Sequence, residues 1–225
     1  MSRKIIPHKV FELYQEARGK RIFTKSILPG KAPFDERIVK DDNEEYREFD
    51  PMRSKLAAAI VKGCTNAGIR KDDVVLYLGV SHGYTASFVS DMVGTEGVIF
   101  GIDPAPRVIR DLVFLAEDRK NIVPILADAN HPDEYLDKVC AADIVYQDIA
   151  QKNQAEIFIK NCHLFLKKGG YGLLAVKARS IDIAKNPKLL FIEIRKQLES
   201  IFTVIDFRIL DPLEKDHCLI IIKKS

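Results

Sequence analysis

The sequence predicts an α/β fold: a mostly parallel sheet covered on both faces, with an antiparallel C-terminal strand and a small β-rich unit in front. Three observations predict it. From about Met52 onward, short apolar runs alternate with stretches of helical period, the pattern of parallel strands joined by crossover helices. Two further β-prone runs end the chain, and the first fifty residues are broken differently from the rest.

Taken in order, Val10-Phe-Glu-Leu-Tyr14 and Arg21-Ile-Phe-Thr-Lys-Ser-Ile27 are β-prone runs separated by Ala17-Arg-Gly-Lys20. Pro29-Gly30 and Pro33 then break the chain, and Asp41-Asp-Asn-Glu-Glu45 is an acidic patch. Residues 1–50 therefore read as a small antiparallel unit with loops. It is too small to hold a core alone, so it is expected to pack on residues 51–225. There, Val74-Val-Leu-Tyr-Leu-Gly79, Val98–Asp103, Ile122–Ala127, Ala142–Gln147 and Gly172–Lys177 suit buried parallel strands. Val108, Leu112 and Leu115 share one helical face, as do Phe158, Cys162 and Phe165, and Leu190, Ile194 and Leu198. Phe202–Phe207 and Cys218–Ile222 read as two antiparallel strands closing the sheet.

Composition bounds the function. Of 225 residues, 47% are hydrophobic and 30% charged, which excludes a chain disordered throughout. Thirty-five Lys+Arg against 32 Asp+Glu leave +3, so any basic surface must come from local clustering. Cys64, Cys140, Cys162 and Cys218 are scattered with no C-x-x-C pair; this argues for reduced, mostly buried thiols and against a disulfide framework or a metal site. The basic N-terminus lacks the apolar stretch of a signal peptide, and no apolar run reaches the ~18–20 residues of a membrane span. A soluble, cytoplasmic protein is expected.

The chemistry-bearing motif is Leu78-Gly79-Val-Ser-His-Gly83-Tyr84-Thr85, a glycine turn between the first parallel strand and a helix. Such a turn lets a ligand approach the backbone closely. Alone, a G-x-x-x-G is weak, because any tight turn needs small residues. The next strand ends in Asp103, about 20 residues on, where a carboxylate accepts from a ribose diol. The third strand closes with Asp128-Ala129, a place for adenine contacts. With neither the three-glycine dinucleotide fingerprint nor a P-loop lysine, S-adenosylmethionine is the best candidate cofactor. The same stretch also fits G-x-S-x-G, with Ser81 as a nucleophile followed by Asp206 or Asp211 and His217 in α/β-hydrolase order. That alternative lacks an oxyanion loop upstream and leaves Lys55, Asp103 and Lys177 unexplained. A third is a scaffold that binds cofactor without chemistry.

Long ordered strings then carry a resemblance. Tyr46-Arg-Glu-Phe-Asp-Pro-Met-Arg-Ser-Lys-Leu-Ala-Ala-Ala-Ile60, Val74–Gly79, Ala105–Leu112, Asn121–Ala129, Tyr146–Gln151, Val176–Asp182 and Asp211–His217 closely resemble segments of fibrillarin, in its compact archaeal form, over nearly the whole chain. The resemblance implies a Rossmann-like class I S-adenosylmethionine-dependent methyltransferase fold. It also implies an RNA ribose 2′-O-methyltransferase that processes rRNA, with tRNA a further target, inside a box C/D ribonucleoprotein. The implied partners are a box C/D guide RNA, a coiled-coil Nop-type scaffold protein and a kink-turn-binding ribosomal-type protein.

The family's catalytic set falls on Lys55, Asp148, Lys177 and His217. Its cofactor contacts fall on Gly79, Tyr84, Thr85, Asp103, Pro104, Asp128, Ala129, Asp148, Ile149, Ala150 and Gln151. Three departures stand out: Gly79-Val-Ser-His-Gly-Tyr-Thr85 for the family's Gly-Ala-Ala-Ser-Gly-Thr-Thr, Asp103-Pro104 for Glu-Phe, and Phe49 for tryptophan. Methyl transfer from a sulfonium needs a positioned hydroxyl and a route for its proton. Lys177, with its pKa lowered by burial and by Lys55 nearby, is the expected base. Asp148 is expected to orient it, and His217 to share the proton network.

Singly, these residues have plainer readings. A strand-end lysine usually reaches solvent, an aspartate after a strand often caps a helix, and a lone histidine is usually structural. Lys55 in a first helical turn costs ~0.3–1 kcal/mol against the macrodipole. His82 reads as a loop residue. Arg53, Arg107, Arg110, Arg179 and Lys167-Lys168 are candidates for an RNA-backbone face, against simple solubility. No stacking pattern for single-stranded bases is visible.

Overall fold

A computed structural model describes residues 4–225; residues 1–3 of the expected N-terminal unit lie outside the described residues. β1 (Ile5–Pro7), β2 (Tyr14–Glu16), β3 (Ile22–Lys25), β4 (Ile38–Asp41) and β5 (Glu44–Glu48) form an antiparallel sheet in the order β1-β2-β3-β5-β4. Two features differ from expectation. The Val10–Tyr14 run is mostly a turn that buries Val10 and Leu13, with pairing only from Tyr14. The acidic patch is a hairpin: Asp41 pairs with Glu44 across Asp42 and Asn43, both at positive φ (47° and 65°). A two-residue turn with both central residues left-handed matches the twist of the strands it joins.

The second sheet holds β6 (Val74–Leu78), β7 (Val98–Asp103), β8 (Ile122–Leu126), β9 (Ala142–Gln147), β10 (Leu166–Lys177), β11 (Thr203–Ile209) and β12 (His217–Lys223). Its helices are α1 (Lys55–Val61), α2 (Tyr84–Val93), α3 (Pro106–Asp118), α4 (Gln154–Phe165), α5 (Ala178–Ile181) and α6 (Pro187–Glu199). The strand order is β11-β12-β10-β9-β6-β7-β8. Neighbours from β10 to β8 pair in parallel, and β12 pairs antiparallel with both β10 and β11. Of the two closing strands, only β12 is therefore reversed relative to the rest. β10 begins at Leu166, six residues before its apolar run, because Lys167–Gly170 form an irregular, hydrophilic start.

Both faces are covered, which is why β6 is apolar throughout. Val75 and Tyr77 face the core with α1, α2 and α3, while Leu76 and Leu78 face the core with α4 and α6. Val10, Leu13, Ile22 and Phe49 of the N-terminal unit belong to the first core, with Phe49 stacked on Phe88 of α2 at 4.4 Å. Beside it lies a buried ionic cluster. Asp91 of α2 accepts from Arg47 of β5 (2.6 Å), Arg119 after α3 (2.7 Å) and Thr24 of β3 (2.7 Å), and Arg47 also meets Glu36 at 2.7 Å. Cys64, Cys162 and Cys218 are buried free thiols and Cys140 is exposed. Among the described residues no helix is long and apolar enough to cross a membrane.

Candidate active site

In the second sheet the chain runs β6, β7, β8 outward and then returns to β9 on the other side of β6. Such a switch of direction opens a crevice at the carboxyl ends of the strands, where α/β folds bind ligands. The turns after β6 and β9 meet there. Asp148 N–H donates to Leu78 O (2.9 Å), and a Cβ at Gly79, whose φ is +74°, would lie 2.5 Å from Asp148 O. Gly83, at φ +86°, starts α2, and a Cβ there would strike Leu112 and Leu115. The glycine turn is thus demanded by close approach as well as by backbone conformation.

A cleft of about 470 Å³ at this point is lined by Lys55, Asp148, Lys177 and His217 together, although they come from α1, the loop after β9, and strands β10 and β12. Ser54 caps α1, accepting from Ala57 N–H and from the Thr85 hydroxyl (3.0 Å), which ties the helix that carries Lys55 to the start of α2. Lys55 Nζ meets Asp148 Oδ2 at 2.9 Å, each side chain about one-fifth exposed (20% and 22%). Lys177 and His217 are cross-strand partners. His217 Nδ1 lies 2.6 Å from Lys215 O; a carbonyl only accepts, so Nδ1 carries the proton and a neutral ring keeps Nε2 as an acceptor. Burial lowers the His217 pKa below 6.5, and Lys55 adds to the effect despite the Lys215 contact.

Two expectations about this group are corrected. Asp148 pairs with Lys55 rather than orienting Lys177. Lys177, the last residue of β10, is exposed, so the expected burial of its side chain is not found.

On the cofactor side, Tyr84, Thr85, Ile149 and Ala150 also line the cleft with Gly79. Asp103, Pro104, Asp128, Ala129 and Gln151 do not; they stand at the neighbouring strand ends. Asp103 accepts Ser81 N–H on one oxygen (3.1 Å) and Ala105 N–H on the other (3.0 Å). Each oxygen keeps a lone pair. Pro104 lies between β7 and α3. Asp128 Oδ1 accepts both the backbone and side-chain N–H of Asn130 (2.9 Å each), and the backbone bond holds its pKa below the ordinary carboxylate value. Asn130 also donates to Gln151 Oε1 (2.7 Å) and accepts from Asn153 (2.8 Å), joining the two loops. Ala129 O accepts from buried Asn161. A left-handed glycine turn, a carboxylate with lone pairs to spare at the second strand end and an ionised Asp128 at the third suit the donor and acceptor groups of S-adenosylmethionine.

Several lining residues carried no sequence signal. Phe34 comes from the N-terminal unit, and Tyr77 stacks on buried Tyr146 at 4.5 Å beneath the cleft. Tyr84, the departure from the family loop, packs edge-on to Phe34 and lies under the Arg53 guanidinium at 4.1 Å. Of the candidate basic residues, Arg53 lines the cleft and pairs with Asp35, while Arg179 follows Lys177 and pairs with Asp216. Arg107 and Arg110 are exposed on α3. Lys167 and Lys168 do not join them: ten positions of strand, roughly 30 Å, separate Lys167 from Lys177, and Lys167 pairs with Asp143 at the opposite end of the sheet.

The hydrolase alternative finds no triad. His217 Nδ1 is taken by Lys215 O, Asp206 by Arg208, and one Asp211 oxygen by Asp216 N–H, so no carboxylate orients the imidazole toward Ser81.

Comparison with known proteins identifies the family. The fibrillarin family profile matches residues 2–225. A Pyrococcus abyssi protein named fibrillarin-like rRNA/tRNA 2′-O-methyltransferase is 49% identical over 216 residues, 96% of this chain and 95% of that one. Aeropyrum pernix fibrillarin, solved with natively bound S-adenosyl-L-methionine, is 41% identical with a TM-score of 0.88, over 97% of each chain. Fibrillarin from a fibrillarin/Nop5p complex is 37% identical with a TM-score of 0.86, over 96% of this chain and 99% of that one. By sequence across nearly its whole length, and by fold, the chain belongs to the fibrillarin family.

Proposed function

We propose that the chain transfers a methyl group from S-adenosylmethionine to ribose 2′-hydroxyls of rRNA and tRNA, as the catalytic subunit of a box C/D ribonucleoprotein. The observation that carries this reading is the convergence of Lys55, Asp148, Lys177 and His217 on one cleft beside the glycine turn. The names of the relatives, the cofactor bound to the Aeropyrum protein and the Nop5p partner support it.

The cofactor supplies a methyl group made electrophilic by its sulfonium. Gly79, Tyr84, Thr85, Asp103, Pro104, Asp128, Ala129 and the Asp148–Gln151 loop would hold it, with Asp103 on the ribose hydroxyls. Lys55 and Asp148 fix one another at the cleft wall. Lys177, exposed at the end of β10, takes the proton of the 2′-hydroxyl once docked RNA covers it. His217, neutral at pH 7 with Nε2 as an acceptor, shares the proton's path. Arg53 and Arg179, flanking this group, contact the RNA backbone.

Guide RNA selects the target, and a kink-turn-binding protein anchors that guide; net charge of +3 leaves the chain little general affinity for RNA. A Nop-type scaffold tethers the enzyme, raising its effective concentration to about the millimolar range for a short connection. We place the protein in the cytoplasm, where its four free cysteines stay reduced. Residues 1–50 are taken as a covering unit and 51–225 as the methyltransferase domain.

The test is methylation of a guide-paired target by the chain alone and by the full assembly. Site-specific transfer only in the assembly is expected. Equal rates overturn guide dependence, and cofactor binding without transfer in either makes the chain a scaffold.

A further inference from the structure

The last residue of β10 stands where its strand has lost a neighbour. β9 ends at Gln147, opposite Leu174, so nothing from β9 reaches Lys177. On the β12 side the next residue, Ala178, donates to Asp216 O. The peptide groups of Lys177 therefore face the vacant side, where an unpaired N–H and C=O would be costly.

The carboxamide of Gln154, the first residue of α4, fills that place. Its Oε1 accepts Lys177 N–H (3.0 Å), and its Nε2 donates to Lys177 O (3.2 Å) and to Gln151 O (2.9 Å). The side chain is fully buried, and the backbone carbonyl of Gln154 accepts from Gln147 Nε2 at 2.6 Å. One side chain thus pairs with Lys177 as a strand would and binds it to the loop that runs from Asp148 to Gln151. A hydrophobic residue of similar length would fill the space and leave three backbone groups unpaired.

We propose that Gln154 is a positioning residue for methyl transfer: it sets where Lys177 projects relative to Asp148, without itself touching substrate or cofactor. This rests on the reading of Lys177 as a catalytic residue. A strand end free to fray would carry the lysine away from the hydroxyl, and small misplacements of catalytic groups cost rate steeply.

The test compares Gln154→Glu, Gln154→Met and Lys177→Ala with the unaltered chain, each assembled with guide RNA and scaffold. Gln154→Glu keeps the shape and the acceptor for Lys177 N–H but sets an oxygen against two carbonyls. Gln154→Met keeps the volume alone. Single-turnover rate at saturating S-adenosylmethionine, its pH profile, cofactor affinity by calorimetry and the folded fraction are measured for each. The expected result is a rate per folded molecule lower by about 10- to 100-fold in both Gln154 variants, with an altered pH profile and near-normal cofactor affinity. If either folded variant retains the normal rate and pH profile while Lys177→Ala is inactive, the positioning role is overturned and the catalytic reading stands. If Lys177→Ala itself turns over normally, the reading beneath the inference fails instead.

Discussion

Asp148 directly follows β9 and Lys177 ends the neighbouring β10, positions where a side chain can be shortened with little loss of packing. Removing Asp148 unpairs Lys55 in a pair about one-fifth exposed, but the freed ammonium borders the open cleft, so the loss falls short of the ~3–5 kcal/mol of a fully buried pair. Asp148→Ala and Lys177→Ala are therefore expected to abolish transfer in the assembled complex while melting close to the unaltered protein. Near-normal turnover by either would remove that residue from the proton route. Asp103 is different, because its carboxylate both faces the expected ribose and holds the Ser81 and Ala105 amides. Asp103→Ala should weaken cofactor binding by roughly 1.5–3 kcal/mol in a calorimetric titration, and unchanged affinity would take Asp103 out of the site. The four proposed catalytic residues were readable in the chain because they lie within long family strings. Gln154, Asn130 and Ser54 were not, because they act through hydrogen bonds to backbone or to other polar side chains, which leave no spacing pattern.

At the scale of elements, buried parallel strands announce themselves as apolar runs, and Ala142–Gln147 and Val98–Asp103 begin and end where the pattern says. The β4–β5 hairpin was illegible for a physical reason. Its two buried β5 side chains are Glu45 and Arg47, one accepting from Gly30 N–H and the other held in the ionic cluster, so alternation is present but not hydrophobic. Charge also shapes the opposite end of the large sheet. Asp73, just before β6, has its pKa raised from 3.8 to about 6, chiefly by burial; the Arg70 N–H bond opposes this and Asp143 adds to it. A raised folded value means that the group's favourable contribution is full below 3.8, declines as pH rises towards 6 and is gone above it. Asp73→Asn, which retains an acceptor for Arg70 N–H, should therefore raise the melting temperature at pH 7.5 and lose that advantage near pH 4. A melting temperature lowered at pH 7.5 would show that the charge is accommodated after all.

The whole molecule is held together by what the N-terminal unit contributes to its neighbour. Arg47 spans the join, reaching Glu36 within the unit and Asp91 and Ser87 on α2, whose first turn lines the cleft. Arg47→Met would leave Glu36 and half of Asp91 uncompensated in the interior, at a cost of about 3–5 kcal/mol. Arg195→Ala, which breaks an exposed pair with Glu199 and a cation–π contact over Phe207 at 5.6 Å, should cost about 1 kcal/mol or less. Denaturant unfolding of both variants gives the comparison, and equal losses would mean that the cluster is not what joins the two units. The join also decides whether the units can be separated. Val10, Leu13, Ile22 and Phe49 are at most 3% exposed in the shared core. At ~1.5–3 kcal/mol for each large apolar side chain, their removal is comparable with a domain's entire stability of about 5–15 kcal/mol. Deleting residues 1–50 would also bare Phe88 and leave Asp91 with Arg119 as its remaining cation. Residues 51–225 alone, although they carry all four catalytic candidates and every proposed cofactor contact, are expected to show no cooperative thermal transition and no calorimetric binding of S-adenosylmethionine. A sharp transition near that of the full chain, with cofactor bound, would make the N-terminal sheet an appendage rather than the cover of the core.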